Sequence, residues 1–223
     1  DAIVKRQALD RIMIGFNGVK RAKTSNRAEN PLLQDVNKGW LQKIREDAPD
    51  HVMGSTTQDG TTTAGAVKVG KGGDYVNLDA VVMDAVNELI DVVYQDDDEL
   101  VVICGRELLS DKYFPLVNKE QENSEKIAAD LIISQKRMGG LQAVRAPFFP
   151  ANALLITRLD NLSIYWQEDT RRRSVIDNPK RDRIENFESV NEAYVIEDYR
   201  CAALVENITI GDFSAPAAPE GGE

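Results

Sequence analysis

The residues that most resemble a chemical motif are Gly65-Ala-Val-Lys-Val-Gly-Lys-Gly72. The first seven match the G-x-x-x-x-G-K pattern of a loop whose backbone N–H groups hold nucleotide phosphates. However, Gly72 stands where Ser or Thr would hold Mg²⁺, no apolar strand precedes the loop, and the next helix begins several residues later. Because such a loop needs a strand before it and a helix N-terminus directly after it, we interpret this segment as a Gly-rich connection.

Other residues that could do chemistry are isolated. The single histidine, His51, follows Pro49-Asp50 and is expected in an exposed loop, where one imidazole cannot build a metal site. The run Asp96-Asp-Asp-Glu99 lacks the ligand spacing of a calcium loop and is expected to be a solvated turn. Cys104 and Cys201 are expected to be buried free thiols. No catalytic group, metal site or cofactor is therefore predicted, and the chain is not expected to be an enzyme.

A dense group of charges surrounds the turn at Asn178-Pro179, with acidic residues interleaved among the basic ones. Mixed signs at this density favour ion pairs between molecules over a track for phosphates. A solvated hairpin explains the pattern equally well. The candidate interface residues are Arg171, Arg172, Arg173, Lys180, Arg181, Asp182 and Arg183.

The composition excludes several functions. With 37 acidic and 27 basic residues the net charge is −10, which argues against nucleic-acid binding as the main task. No apolar stretch approaches the roughly 18 residues of a membrane span, so no membrane partner is expected. The first residues contain neither Met nor a signal-peptide pattern, and we expect the chain to begin inside a longer gene product.

The first half of the sequence predicts helices. Apolar residues at helical spacing indicate helices over 2–16, over 31 to just before Pro49, and over 78–93, the last with Asn77 as its N-cap. Between them, residues 54–74 are expected to be a long mobile loop with at most one short hairpin. A buried strand is predicted over 100–104, followed by a short helix that Pro115 ends and by a helix over 124–133.

After Gly139-Gly140 the pattern changes to period two, which is typical of strands. A last strand is expected over 201–210, and the Ala, Pro, Gly and Glu residues of 214–223 predict a disordered tail. The other predicted strands cover 141–145, 153–159, 162–166, 171–176, 183–187 and 194–197. Helices followed by antiparallel strands predict an α+β fold.

Several longer stretches resemble the major capsid proteins of peduovirus-type tailed phages and their prophages. The resemblance extends from the first residue to about Phe213. The stretches that carry it are Phe16-Asn-Gly-Val-Lys-Arg, Asn30-Pro-Leu-Leu-Gln-Asp-Val, Gly39-Trp-Leu-Gln-Lys, Val69-Gly-Lys-Gly-Gly-Asp-Tyr, Asp111-Lys-Tyr-Phe-Pro-Leu-Val-Asn-Lys-Glu-Gln, Ile133-Ser-Gln-Lys-Arg, Asn161-Leu-Ser-Ile-Tyr and Val195-Ile-Glu-Asp-Tyr.

This resemblance implies the Hong Kong 97-like capsid fold. Residues 1–25 would be the end of the spine helix, 26–158 the axial domain, 159–198 strands of the peripheral domain, and 199–213 a strand returning to the axial sheet. The family's N-arm and extended loop have no counterpart in this sequence. Since these parts hold neighbouring subunits together, we expect that the chain does not close shells without them.

The resemblance also implies partners and a location. The partners would be copies of the chain in hexamers and pentamers, and a scaffolding protein during assembly in the bacterial host cytoplasm, with the virion capsid as the final location. Two other functions remain as alternatives. One is an encapsulin-like shell around a protein cargo, and the other is a nucleotide-binding enzyme that uses Lys71.

Overall fold

A computed structural model describes residues 2–58, 61–117 and 136–214, with the backbone alone over 113–117. The predicted helix over 124–133 and all of the predicted tail except Ser214 lie outside these ranges. The helices are α1 Ala2–Asn17, α2 Trp40–Asp47, α3 Leu78–Leu89, α4 Val92–Gln95 and α5 Arg106–Val117. The strands are β1 Val52–Met53, β2 Ser55–Gln58, β3 Thr61–Ala64, β4 Val67–Val69, β5 Val101–Cys104, β6 Arg137–Met138, β7 Leu141–Arg145, β8 Leu154–Thr157, β9 Leu162–Trp166, β10 Arg172–Asn178, β11 Arg183–Ser189, β12 Glu192–Ile196, β13 Ala202–Val205 and β14 Ile208–Ile210.

The centre of the fold is a six-stranded mixed sheet with the strand order β1-β13-β8-β5-β7-β6. Every residue of β5, β8 and β13 is buried, which explains why these strands are uninterrupted apolar runs rather than alternating ones. Strands β5 and β7 are parallel, whereas β8 is antiparallel to both of its neighbours, β5 and β13. The predicted α+β class is confirmed.

The two faces of this sheet carry separate hydrophobic cores. On one face, Val102, Leu154 and Ala203 pack with the buried side of α3. On the other, Ile103, Leu155 and Leu204 pack with Trp40, Leu41 and Ile44 of α2 and with Phe16 of α1. Burying one large apolar side chain contributes about 1.5–3 kcal/mol, so the two cores together are the main source of stability.

Helix α3 is confirmed, and its boundaries have clear causes. The Asn77 side chain accepts a hydrogen bond from the Ala80 N–H at 2.9 Å, as the predicted N-cap should. The helix ends at Leu89 rather than at residue 93, because Ile90 is extended and Asp91 caps the separate helix α4. Val92 and Val93 consequently lie at the surface, 76% and 70% exposed.

The prediction of a helix from residue 31 is wrong over its first nine residues. Leu33 has φ = 59°, a left-handed conformation that interrupts a helix, and the segment forms successive turns until α2 begins at Trp40. The buried carboxylate of Asp35 organises these turns by accepting hydrogen bonds from Ser25 Oγ at 2.8 Å and from the Asn26 N–H at 2.7 Å. These two bonds lower the pKa of Asp35.

Residues 54–58 and 61–74 form more regular structure than predicted. The expected short hairpin is present as β2 and β3, but Val67–Val69 forms the additional strand β4. This strand pairs in parallel with β14 near the end of the chain. The single strand predicted over 201–210 is therefore wrong. Residues 201–210 form two strands, β13 and β14, because Asn207 between them has φ = 54° and changes the direction of the chain.

The remaining strand predictions are confirmed, with ends shifted by at most two residues. Pro115 does not end its helix, since α5 continues to Val117. A proline here removes the hydrogen bond to the carbonyl four residues earlier, and the helix extends only two residues beyond it. The segments around Asn178-Pro179 form the two-stranded hairpin β10–β11, in which Arg172 pairs with Ser189 and Asn178 pairs with Arg183.

Candidate interaction surface

The Gly-rich loop has a packing role that explains its glycines. A Cβ atom added to Gly70 would lie 2.0 Å from the Gly211 carbonyl oxygen, and one added to Gly73 would lie 2.7 Å from the Lys68 carbonyl oxygen. The Gly70 N–H, which would face phosphate in a nucleotide loop, donates to the Tyr75 carbonyl instead. Since α3 begins only at Leu78, no helix N-terminus follows the loop directly. The geometry therefore does not favour nucleotide binding at Lys71.

The single histidine and the acidic run lie in turns of the fold and have structural roles. His51 is half-buried in a short 3-10 turn, so the expectation of an exposed loop histidine is wrong. The acidic run does form a turn between α4 and β5, and Arg158 pairs with Asp97 at 3.1 Å and with Glu99 at 2.6 Å. Among the described residues, no group of His, Cys, Asp or Glu could hold a metal ion.

Both cysteines are buried and free, as predicted. Burial raises the pKa of the Cys104 thiol to about 11, because the thiolate would lose its hydration. Such a thiol is inert as a nucleophile at neutral pH. Within residues 2–58, 61–117 and 136–214, no helix is long and apolar enough to cross a membrane.

All seven predicted interface residues lie on or next to the hairpin β10–β11, and all are exposed. Two of the arginines are paired within the hairpin, since Arg171 Nε donates to Glu188 at 2.6 Å and Arg183 Nε donates to Glu185 at 2.8 Å. Arg173 Nε donates to Asn186 at 3.2 Å. At the tip, Asp182 adopts the left-handed conformation that closes the turn. The remaining members are Arg172, Lys180 and Arg181.

The hairpin also exposes apolar side chains on both of its faces. In the observed register, Ile176 and Phe187 share one face, and Val175 and Ile184 share the other. Between 49% and 74% of each of these side chains is exposed. A two-stranded ribbon with neither face covered is marginally stable in water at best. The hairpin therefore presents surface that a neighbouring molecule could cover.

A groove of about 1110 Å³ lies where the hairpin joins the rest of the molecule, between α1 and β9. Val4, Ile14, Ile164 and Trp166 contribute its apolar lining, and charged residues of α1, β11 and the β9–β10 connection surround them. Trp166 is 71% exposed, which is unusual for so large an aromatic residue. The sequence prediction missed this groove. Its one local signal was a tryptophan at the end of an alternating strand.

The walls of the groove are fixed by contacts between α1 and β12. Arg11 Nε donates to both carboxylate oxygens of Glu192, at 2.8 and 3.0 Å, and this partner raises the pKa of Arg11. The Tyr194 hydroxyl donates to the Arg11 carbonyl at 2.9 Å. The Trp40 ring lies 5.2 Å from the Tyr194 ring and 5.3 Å from the Phe16 ring. These contacts hold α1 in place, so the groove is preformed.

The fold has clear structural relatives. It is similar to a chain of the satellite phage P4 procapsid that includes the size determination (Sid) protein, with a TM-score of 0.85 and 60% sequence identity over 96% of this chain and 63% of that chain. It also resembles, at 15% identity and a TM-score of 0.50, the capsid of an empty GTA particle, covering 93% of this chain and 63% of that chain. The fold is therefore that of the Hong Kong 97-like capsid subunits, as expected.

The sequence comparisons identify the family. Residues 1–208 match the model of the phage major capsid protein, P2 family, and the chain belongs to this family. It is 63% identical to the capsid proteins of Escherichia phage P2 over 97% of this chain and 61% of that protein. It is 41% identical to the major capsid protein of Serratia phage KSP20 over 99% of this chain and 62% of that protein. The chain thus spans less than two thirds of the length of these relatives.

Proposed function

We propose that this chain belongs to a structural subunit of a tailed-phage or prophage head, whose copies assemble into hexamers and pentamers that enclose DNA. The observation that carries the proposal is a hairpin with two uncovered faces in a chain that belongs to a capsid family. Such a ribbon gains stability when neighbouring copies bury it, and repeated modest interfaces are what a closed shell needs. The net charge of −10 suits a shell that does not adhere to the DNA it encloses.

We assign the parts of the fold to this function as follows. Residues 1–25 contain the end of the spine helix, α1, which stops at Asn17, and residues 159–198, which include the hairpin, belong to the peripheral domain. The axial domain comprises residues 26–158 and the returning segment 199–213. The pairing of β13 with β8 supports this assignment, because β8 lies within residues 26–158.

The family also supports the wider setting. Assembly would take place in the bacterial host cytoplasm with a scaffolding protein, and the assembled protein would reside in the virion capsid. We propose no catalytic role and no cofactor. An encapsulin-like shell is not favoured, since the family model that the chain matches is that of phage major capsid proteins.

The proposal is tested by native mass spectrometry and electron microscopy of the purified chain over a range of concentrations. We expect oligomers that include rings of five or six copies and that dissociate on dilution. A chain that stays monomeric at millimolar concentration would contradict self-assembly through these surfaces. Saturable nucleotide binding that is lost in Lys71→Ala would support the enzyme function instead.

A further inference from the structure

The tip of the hairpin carries two cations that have no partner in the described ranges. Residues 179–183 contain Lys180, Arg181 and Arg183 but a single carboxylate, that of Asp182. Arg183 donates to Glu185, whereas Lys180 and Arg181 are exposed and have no hydrogen bond or ion pair to any residue in the described ranges. Because the left-handed Asp182 fixes the turn, the two free cations project from a defined structure.

The groove at the base of the hairpin carries the opposite charge. Its lining includes five carboxylates, those of Asp10, Glu168, Asp169, Glu188 and Glu192, against two guanidinium groups. Because Arg6 pairs with Asp10, two of these negative charges remain without a cation. Arg11 and Arg171 neutralise Glu192 and Glu188.

Two of the other three carboxylates retain capacity for a partner. Glu168 and Asp169 are exposed and have no ion pair within the described part of the chain. Asp10 is already paired with Arg6, whose Nη2 lies 2.9 Å from Asp10 Oδ1. The groove therefore has free acceptors for cationic donors beside its apolar lining.

The tip cannot reach the groove of its own molecule. Strands β10 and β11 are each seven residues long. At about 3.4 Å per residue they separate the tip from the base by roughly 20–24 Å. A contact between tip and groove therefore requires two molecules, and the two surfaces are different, so the contact is head-to-tail.

We propose that the hairpin tip of one copy docks in the groove between α1 and β9 of a second copy. Lys180 and Arg181 face Glu168 and Asp169 across the contact, and the exposed Trp166 ring packs against the turn. The inference rests on the proposed function, because it names the surfaces through which copies associate. Opposite charges on the two surfaces select this pairing and accelerate it, and salt weakens it.

The test combines charge reversal with charge exchange. A tip variant carries Lys180→Glu and Arg181→Glu, and a groove variant carries Glu168→Lys and Asp169→Asn, since Asn tolerates the left-handed backbone at position 169. A control carries Lys23→Glu and Arg27→Glu, which are exposed, lie outside both surfaces and change the net charge as much as the tip variant does. Circular dichroism verifies that each variant is folded.

Sedimentation velocity measures the result. The tip variant and the groove variant should each associate roughly 100-fold more weakly than the wild type at low salt, and the control should not. Combining both changes in one chain should restore association. Association that both variants leave unchanged would overturn the docking inference while the proposed function stands, whereas a monomeric wild type would count against the proposed function itself.

Cysteine cross-linking gives an independent measurement. A chain with Arg181→Cys and Glu168→Cys should form disulfides between molecules under mild oxidation, and either substitution alone should give far fewer of the larger species. If the chain with both cysteines formed no disulfide-linked oligomers at concentrations where the wild type associates, the inference would also be overturned.

Discussion

Arg45 and Glu206 form a bidentate ion pair that connects α2 to the junction between β13 and β14. Arg45 Nε lies 3.0 Å from one carboxylate oxygen of Glu206 and 2.9 Å from the other, and Ser55 Oγ donates to the second oxygen at 2.7 Å. Only 16% of the Arg45 side chain and 10% of the Glu206 side chain are exposed. The pair therefore stabilises the point at which the chain leaves the central sheet.

Removal of one partner should destabilise the protein strongly. Arg45→Met would leave the Glu206 carboxylate buried without its cation, and such a change costs about 3–5 kcal/mol of the free energy of unfolding. Urea unfolding followed by circular dichroism measures the loss. The control is Arg6→Ala, which removes the more exposed pair with Asp10 and should cost less than about 1 kcal/mol. Equal losses in the two variants would contradict this account of the buried pair.

Gly15 should not tolerate alanine although it lies within α1. In an open helix, Gly→Ala stabilises by roughly 0.5–1 kcal/mol. A Cβ atom at Gly15 would, however, lie 2.3 Å from the Trp40 ring, so the substitution should cost about 1–3 kcal/mol through overpacking. The direction in which the urea midpoint shifts shows whether the substitution stabilises or destabilises the protein. Gly211→Ala is the matched control, because a Cβ there would meet no atom closer than 3.6 Å. If the Gly15→Ala variant were more stable than the wild type, α1 and α2 would have to be farther apart than the contact between Gly15 and Trp40 requires.

The Cys104 thiol should make the protein sensitive to alkali. Its pKa is raised from 9.0 to about 11 in the folded state, so the unfolded chain releases the proton first as the pH rises. The stability that the neutral thiol contributes is complete below pH 9 and is lost as the pH rises through 11. Denaturant unfolding of the wild type and of Cys104→Ala should therefore show a stability difference that shrinks over this range. A difference independent of pH would contradict the burial of the thiol.

Lys71→Ala should leave both stability and nucleotide binding unchanged. The glycines around Lys71 allow the close approach of the Gly211 segment, and the Lys71 side chain itself is exposed. Isothermal titration with ATP and Mg²⁺ should give no saturable heat for either protein. Gly70→Ala should, in contrast, destabilise the fold, since Gly70 has φ = 132° and no room for a Cβ atom. Nucleotide binding that depends on Lys71 would reverse this interpretation.

The sequence predicted those elements whose signals are local. Helix α3 has an uninterrupted apolar spacing and a capping asparagine, and β5 is a continuous apolar run, so both were correctly placed. The parallel pairing of β4 with β14 joins segments far apart in the chain, and each strand has only three residues. Such short strands carry almost no periodicity. The turns at Leu33 depend on the Asp35 carboxylate, which accepts hydrogen bonds from Ser25 and Asn26 about ten residues earlier, and no helical spacing reveals this.

The candidate interface was predictable only in part. The charges around Asn178-Pro179 indicated a surface hairpin, and the structure places all of them there. The groove was not predictable, because it combines α1 with β9 and β12, three elements separated by most of the sequence. Its charge becomes apparent only when Asp10 and Glu168 are seen to line the same depression.

The position of β13 between β1 and β8 determines the order in which the protein can fold during synthesis. Because β13 is formed by residues 202–205, the ribosome must produce nearly the whole described chain before β8 gains its second neighbour. Until then β8, which is entirely apolar apart from Thr157, has a free edge of the kind that recruits other strands and leads to aggregation. At roughly 5–20 residues per second, the nascent chain passes through this vulnerable state for several seconds. Ribosome stalling before Ala202 should therefore yield insoluble protein.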